Sequence, residues 1–314
     1  MPRSLSSAVR TRDRGMPSAA GPATVATVTT LAASSQSPVL ITGAAGTIGR
    51  MVRPRLAAMG WELHSLDREP DGDPDISSID VLDADALDAA TVGCGAVIHL
   101  AGIPHEAPLA QILEANVQGT QAVLDAALRR GIRRVVLASS CHAVGFWERT
   151  AGGSDLGVDV RPRPDTFYGV AKVALEALGQ LYADRFGLEV VSLRIGACKD
   201  APVNRRELST WLSPADAARL MDASLRGKVR GHVIAYGISA NTRAWWDLGS
   251  ARALGYMPED DAEAFAESIP PETSRRSRTG QQPPPAPERV GGPMTSMPLG
   301  GITRSFLPTP GGDF

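Results

Sequence analysis

The sequence predicts an α/β fold: a doubly wound, mainly parallel sheet with a smaller substrate-binding part toward the C-terminus. Three observations carry that expectation. Short apolar runs alternate with stretches of helical periodicity at least five times between Pro38 and Ile195. The first run passes directly through a glycine-rich turn into a helix. Polar, chemistry-bearing residues then follow the ends of later strands, where open parallel sheets bind their ligands.

Pro38–Thr42 reads as a buried-type strand, and Met51, Val52, Leu56 and Met59 recur after it at helical spacing. Between them Gly43, Gly46 and Gly49 form the pattern G-x-x-G-x-x-G. The first glycine permits a tight turn, the second lets backbone approach a pyrophosphate, and the third allows close helix packing. The helix N-terminus offers free N–H groups to the phosphates. A Rossmann-like dinucleotide site follows from this strand, loop and helix. Trp61–Leu66 predicts a second strand ending at Asp67, about twenty residues beyond the glycines. A carboxylate there accepts hydrogen bonds from ribose hydroxyls and repels a 2′-phosphate, which favours NAD over NADP; Arg68 beside it tempers the preference. The plainer reading of Asp67 is a loop carboxylate before Pro70. Asp80 and Val81 end another extended piece that could flank an adenine, although Asp83 and Asp85 also signal a helix start.

Gly95–Leu100 is a further buried-type strand, and Ala101, Gly102 and Ile103 after it are small enough, taken together, for a loop to pass close to a ligand. The spacing of Leu113, Val117, Ala122, Val123 and Ala126 predicts a helix over about Leu109–Arg129. Asn116 lies among them and must find hydrogen-bond partners, most simply by tying the helix to a neighbouring loop. Arg133–Ala138 predicts the next strand, whose end delivers Ser139, Ser140, Cys141 and His142. A Pro-rich loop, Arg161–Phe167, leads to a helix opening at Tyr168, and Tyr168 and Lys172 share one helix face. A core tyrosine with a solvated lysine is the bland alternative; the serine pair and glycine loop weigh against it. After the strand Leu188–Ile195 come Arg205-Arg206, a helix over Pro214–Leu225, a strand over His232–Tyr236 and the Trp245-Trp246 pair, expected to close over the sheet's carboxyl edge.

The 314 residues are therefore expected to divide into a disordered or misassigned extension (1–37), a NAD-binding domain (38–198), a smaller substrate-binding part (199–269) and a Pro/Gly-rich, mostly disordered tail (270–314). Arg3, Arg10, Arg12 and Arg14 ahead of a mildly apolar stretch faintly imitate a targeting peptide, but threonines break that stretch and Met16 offers an alternative start. A net charge of −2 without a basic stripe argues against nucleic acid as a partner. The three cysteines lie far apart without metal-site spacing, which points to no metal and to a reducing cytoplasm. No apolar run approaches the roughly 18–20 residues of a membrane span.

Taken together, TGAAGTIG, Asp67, the Ser139-Ser140 strand end and YGVAK resemble the extended short-chain dehydrogenase/reductases. HLAGI, ASSCHAVGFW, RPDTFYGVAK, LRIGACKDAPVNRRELSTWLS and ISANTRAWWD look more narrowly like the uronate dehydrogenases, over about Pro38–Ile269, and PERVGGPMTSMPLG carries a fainter likeness that implies order in part of the tail. The resemblance places Gly43, Gly46, Thr47, Ile48 and Gly49 on the cofactor loop, Asp67 on the ribose and Asp80 and Val81 at the adenine. Leu100, Ala101, Gly102, Asn116, Tyr168, Lys172 and Ile195 complete the expected cofactor set. Ser140, Tyr168 and Lys172 match the catalytic triad; Ser140, Cys141, His142, Tyr168 and Arg206 fall where the sugar acid is held. Three positions depart from the family: Pro104 and Ala197 stand where it carries serine, and Cys141 where it carries asparagine. The family also implies an assembly of identical subunits.

What the resemblance implies is oxidation of a cyclic hexuronate at its anomeric carbon to an aldarolactone, with NADH formed. Elementary chemistry agrees: taking hydride from a hydroxyl-bearing carbon requires a base, and a free tyrosine with pKa near ~10 needs a cation such as Lys172 to serve at neutral pH. Arg206 offers the planar fork that suits a carboxylate, although an ordinary surface arginine is the plainer reading. Two alternatives stay open at this point: a nucleotide-sugar epimerase or dehydratase that regenerates its NAD, and a nicotinamide-sensing binding protein without turnover.

Overall fold

Val39–Thr42, four buried residues in a row, form β1 at the centre of a computed structural model that describes residues 37–149, 155–269 and 288–300. The expected N-terminal extension lies outside the described residues, apart from Ser37. Six further strands join β1 in one parallel sheet: β2 (Leu63–Asp67), β3 (Ile76–Ser78), β4 (Ala96–His99), β5 (Arg134–Ser140), β6 (Glu189–Ile195) and, after a small two-stranded pair formed by β7 (Ala197–Cys198) and β8 (Trp211–Leu212), β9 (His232–Gly237). Their order, β3-β2-β1-β4-β5-β6-β9, is the doubly wound arrangement expected from the sequence. The chain runs outward one way from β1 and then returns to run the other way from β4, so the switch point lies between those two strands.

Strand alternation builds the two sides of the core. Val39 and Ile41 face one side, where α1 (Thr47–Ala58) and α7 (Pro214–Arg226) pack, while Leu40 faces the other with α4 (Gly119–Arg129) and α5 (Phe167–Phe186). The shorter helices α2 (Ala84–Ala90), α3 (Leu109–Ile112) and α6 (Glu207–Thr210) come from the connections. Trp61, expected within the second strand, instead docks its indole on Asp222 of α7 at 2.7 Å, and β2 begins two residues later.

Two findings bear on the site. The helix expected over Leu109–Arg129 is interrupted by a π-helical turn, Leu113–Gln118, that holds the buried Asn116 against the loop after β4. Residues 199–269, expected as a smaller substrate-binding part, divide between two places. α7 and β9 complete the large sheet, because α7 buries Ala217, Leu220 and Met221 on the β1 side and leads back to a strand parallel to β6. Only the Arg206–Leu212 region and the tryptophans after β9 gather at the carboxyl edge. From the tail, residues 288–300 cross that edge: Val290 N donates to Trp147 O at 2.9 Å, Gly291 N to Gly145 O at 2.9 Å, and Gly300 N to Glu106 Oε1 at 3.0 Å. The remainder of the tail lies outside the described residues.

Candidate active site

A cleft of about 740 Å³ opens at the switch point, within the usual range for small-molecule sites. Gly43, Gly46, Thr47, Ile48 and Gly49 line one wall, Asp67, Asp80 and Val81 the next, and Leu100, Ala101 and Gly102 the third. The residues present fit a dinucleotide. Gly43 adopts φ +69°, and a Cβ there would stand 2.5 Å from Ala101 N, so a side chain would force the two loops apart. The first turn of α1 has no side-chain cap, leaving its N–H groups to a phosphate. Asp67 is fixed at the end of β2 by accepting from Ala45 N at 3.0 Å and Glu69 N at 3.1 Å, with acceptor capacity left on the cleft side. Arg68 is largely exposed and leans toward Asp80, 4.0 Å away. Glu69, Glu114 and Gln111 also line the cleft, and sequence reasoning singled out none of them.

Asn116 sits behind this wall. Its Oδ1 accepts from Ile103 N at 2.7 Å and its Nδ2 donates to Ile103 O at 3.0 Å, so its amide positions the loop. Ile103 links the cleft to the catalytic side, lining the cleft while packing against Tyr168 and Ile112.

β5 and α5 bring the remaining residues together. Ser140 ends β5 in register with Ile195 on β6, and its Oγ accepts from His142 N at 3.3 Å. Thr166 caps α5 through Gly169 N at 2.9 Å, which sets Tyr168 and Lys172 on the first turns of a 20-residue helix. Both are buried, and the Ser140 hydroxyl at the end of β5 lies near enough to the Tyr168 phenol to favour its ionised form. Lys172 Nζ lies 5.3 Å from the Tyr168 ring centre and donates to Ala138 O at 2.6 Å. Burial pushes the Tyr168 phenol up, with the neighbouring Ser140 hydroxyl working against it. Burial pulls Lys172 down to about 8, opposed by the charge of Glu176 one turn on. Glu176 is itself held by Arg194 at 2.8 Å and by Ser139 at 2.6 Å.

His142 stands edge-on to Tyr168, ring centres 5.9 Å apart, with its Nδ1 2.8 Å from the buried Asp165. Arg206 directs Nη2 at the Val290 carbonyl and at Cys141 Sγ, 3.9 Å away, while its buried Nε has no hydrogen-bond partner among the described residues. Burial raises the Cys141 thiol, so it faces the site as a neutral group. Three contributors escaped sequence reasoning. Glu106 accepts from Tyr168 N at 3.0 Å and also from Gly300 N. Val290 meets Arg206 across 84 positions of chain. Asp165 alone carried a local signal, a carboxylate beside the capping Thr166 and three residues ahead of Tyr168.

With the geometry in place, comparison with known proteins is informative. The family model described as NAD dependent epimerase/dehydratase matches residues 39–198. The uronate dehydrogenase of Agrobacterium fabrum is 41% identical over 253 residues, covering 79% of this chain and 91% of that protein. The NAD-dependent glucose-6-phosphate dehydrogenase of Haloferax volcanii is 39% identical over 253 residues, covering 73% of this chain and 95% of that protein. Among solved structures, a variant uronate dehydrogenase from Agrobacterium tumefaciens complexed with NAD superposes with a TM-score of 0.73 at 39% identity, over 83% of this chain and 98% of that one. The family model, the relatives and the seven-stranded parallel sheet agree: this chain belongs to the NAD dependent epimerase/dehydratase family, the extended short-chain dehydrogenase/reductases.

Proposed function

We propose that this protein oxidises a hexuronic acid, glucuronate or galacturonate, at C1 to an aldarolactone, with Tyr168 as base and Ser140 and Lys172 beside it. The observation that carries this reading is the Arg206 guanidinium. It is brought to the Ser140–Cys141 strand end beside Gly292, with an Nε that has no partner among the described residues, and its planar fork of donors suits a substrate carboxylate. Similarity to uronate dehydrogenases over most of the chain supports the same substrate class. NAD in the switch-point cleft supplies the hydride acceptor. Ser140 orients the C1 hydroxyl by hydrogen bonding, and Tyr168 takes its proton as the carbon–oxygen double bond of the lactone forms. A phenolate in so buried a place requires a neighbouring cation. Lys172, with its pKa near 8, remains mainly an ammonium at neutral pH and supplies that charge. Arg206 holds the carboxylate, which orients C1 toward Tyr168. We further read the enzyme as cytoplasmic, in keeping with its free Cys94, Cys141 and Cys198, and as a homo-oligomer on the strength of the family resemblance.

A second reading keeps the chemistry and changes the sugar. The glucose-6-phosphate dehydrogenase relative is nearly as similar, a phosphate suits Arg206 as well as a carboxylate, and Cys141 and Pro104 remove polar groups that the uronate enzymes carry. An NADH-formation screen over glucuronate, galacturonate, glucose 6-phosphate, L-arabinose and neutral aldoses decides. The expected result is turnover confined to the uronates. Preference for the phosphorylated sugar supports the second reading, and no NADH release from any free sugar overturns both.

A further inference from the structure

The mechanism above makes no use of Asp165, yet its side chain is fully buried in a slot that three glycines leave open. A Cβ on Gly145 or on Gly291 would collide with Asp165 Oδ2, and one on Gly169 would come within 3.2 Å of Oδ1. Its side-chain partners are Thr166, whose Oγ1 donates to Oδ1 at 3.1 Å, and His142, whose Nδ1 lies 2.8 Å from Oδ2. Among the described residues no lysine or arginine forms an ion pair with it.

An ionised carboxylate only accepts hydrogen bonds, so Nδ1 of His142 must carry the proton. In the neutral ring, Nε2 is then a bare acceptor. Nε2 has no protein partner among the described residues, and its ring stands edge-on to Tyr168 beside Ser140. We propose that Asp165 is a positioning residue that holds His142, which the resemblance already sets against the sugar acid, in the Nδ1–H tautomer, so that its Nε2 meets the substrate only as an acceptor for one sugar hydroxyl. This rests on the proposed oxidation of a sugar acid. It says how the site tells one hydroxyl pattern from another. A substrate lacking that hydroxyl, or carrying it as a methyl ether, leaves the imidazole acceptor unmatched.

The test combines spectroscopy with kinetics on the full-length chain. Nitrogen NMR of the ¹⁵N-histidine-labelled wild type, with the His142 ring neutral, should show its Nδ1 protonated and its Nε2 bare. A protonated Nε2 would overturn the proposal. Asp165→Asn, whose amide can donate to Nδ1, should invert that pattern and raise KM for the uronate about tenfold, with a smaller effect on kcat and unchanged NAD affinity. In a His142→Ala background the same substitution should add nothing to KM. A further rise there would show Asp165 acting through the loop fold and would overturn its positioning role. Should Asp165→Asn fail to bind NAD and so prove misfolded, His142→Ala assayed against monodeoxy uronates takes its place. One analogue should lose about tenfold on the wild type and nothing further on the variant; equal losses for that analogue on both proteins would overturn the acceptor role. If the wild type oxidises no sugar acid at all, the proposed activity fails, and the NMR result still decides the tautomer separately.

Discussion

Replacing Gly43 with alanine should damage stability and cofactor binding together, and the structure gives the size. A left-handed φ of +69° costs a residue with a Cβ about 1–2 kcal/mol. The new methyl would also sit 2.5 Å from Ala101 N and 2.7 Å from the Leu100 carbonyl carbon, roughly 1 Å inside van der Waals contact. Both neighbours are backbone, so the Leu100–Ile103 loop has to move. That loop is held by the two Asn116 hydrogen bonds to Ile103, each worth about 1 kcal/mol net. The total is about 3–4 kcal/mol, a fall in Tm of about 6–16 °C. Because the same loop is a wall of the cleft, NAD should bind at least about tenfold more weakly, a loss of ~1.4 kcal/mol. Gly93→Ala is the control: its φ is +78° but no atom lies within 4 Å of the added Cβ, so it should cost only the conformational part and leave NAD affinity unchanged. Thermal unfolding and NAD titration of both variants measure this. If Gly43→Ala behaves like Gly93→Ala in both assays, the close approach of the two loops does not matter and the reasoning fails.

Arg206→Ala should raise KM for a uronate about 100-fold, the loss of charge-assisted hydrogen bonds, while barely changing KM for a neutral aldose; equal effects on both would remove Arg206 from carboxylate binding. Asp67→Ala should relax the preference for NAD over NADP, read as the ratio of kcat/KM values, and an unchanged ratio would put the ribose elsewhere. Burial holds His99 neutral, pulling its pKa from 6.5 to about 3, between the hydroxyls of Thr42 and Thr120. The unfolded chain binds a proton below pH ~6.5 that the folded one refuses, so this stabilisation is complete above that pH and fades toward pH 3. By pH 5 about 2 kcal/mol should be gone, measurable by urea unfolding at pH 5 and pH 8, and a His99→Gln variant should lose that much of its pH dependence; an unchanged difference contradicts the assignment.

Local pattern carried most of the fold, because β1, α1 and most of the strands through β6, though not the Ile-Ser-Ser of β3, announce themselves by apolar runs and helical spacing that depend on near neighbours alone. It could not place β9 beside β6, since both strands are apolar and only three-dimensional packing selects the pairing. The π-helical turn at Asn116 was hidden because the spacing around it is still nearly helical, and the pair of bonds to Ile103 that accompanies it joins residues thirteen positions apart. Residues 288–300 belong to a tail that reads compositionally as disorder, and only the family likeness of PERVGGPMTSMPLG implied order there; backbone hydrogen bonds that composition does not encode help hold them. For the candidate site, the glycine loop, the strand-end serines and the tyrosine–lysine pair were legible because the roles proposed for them need particular residue types at fixed short spacings. Glu106 was not, because its partners lie 62 and 194 residues away.

The account depends most on Tyr168 acting as the base, which turnover and NAD binding by Tyr168→Phe test together. Removing the phenolic oxygen should abolish NADH formation from a uronate and leave NAD affinity close to that of the wild type. NADH formation persisting at a comparable rate in this variant would contradict the mechanism.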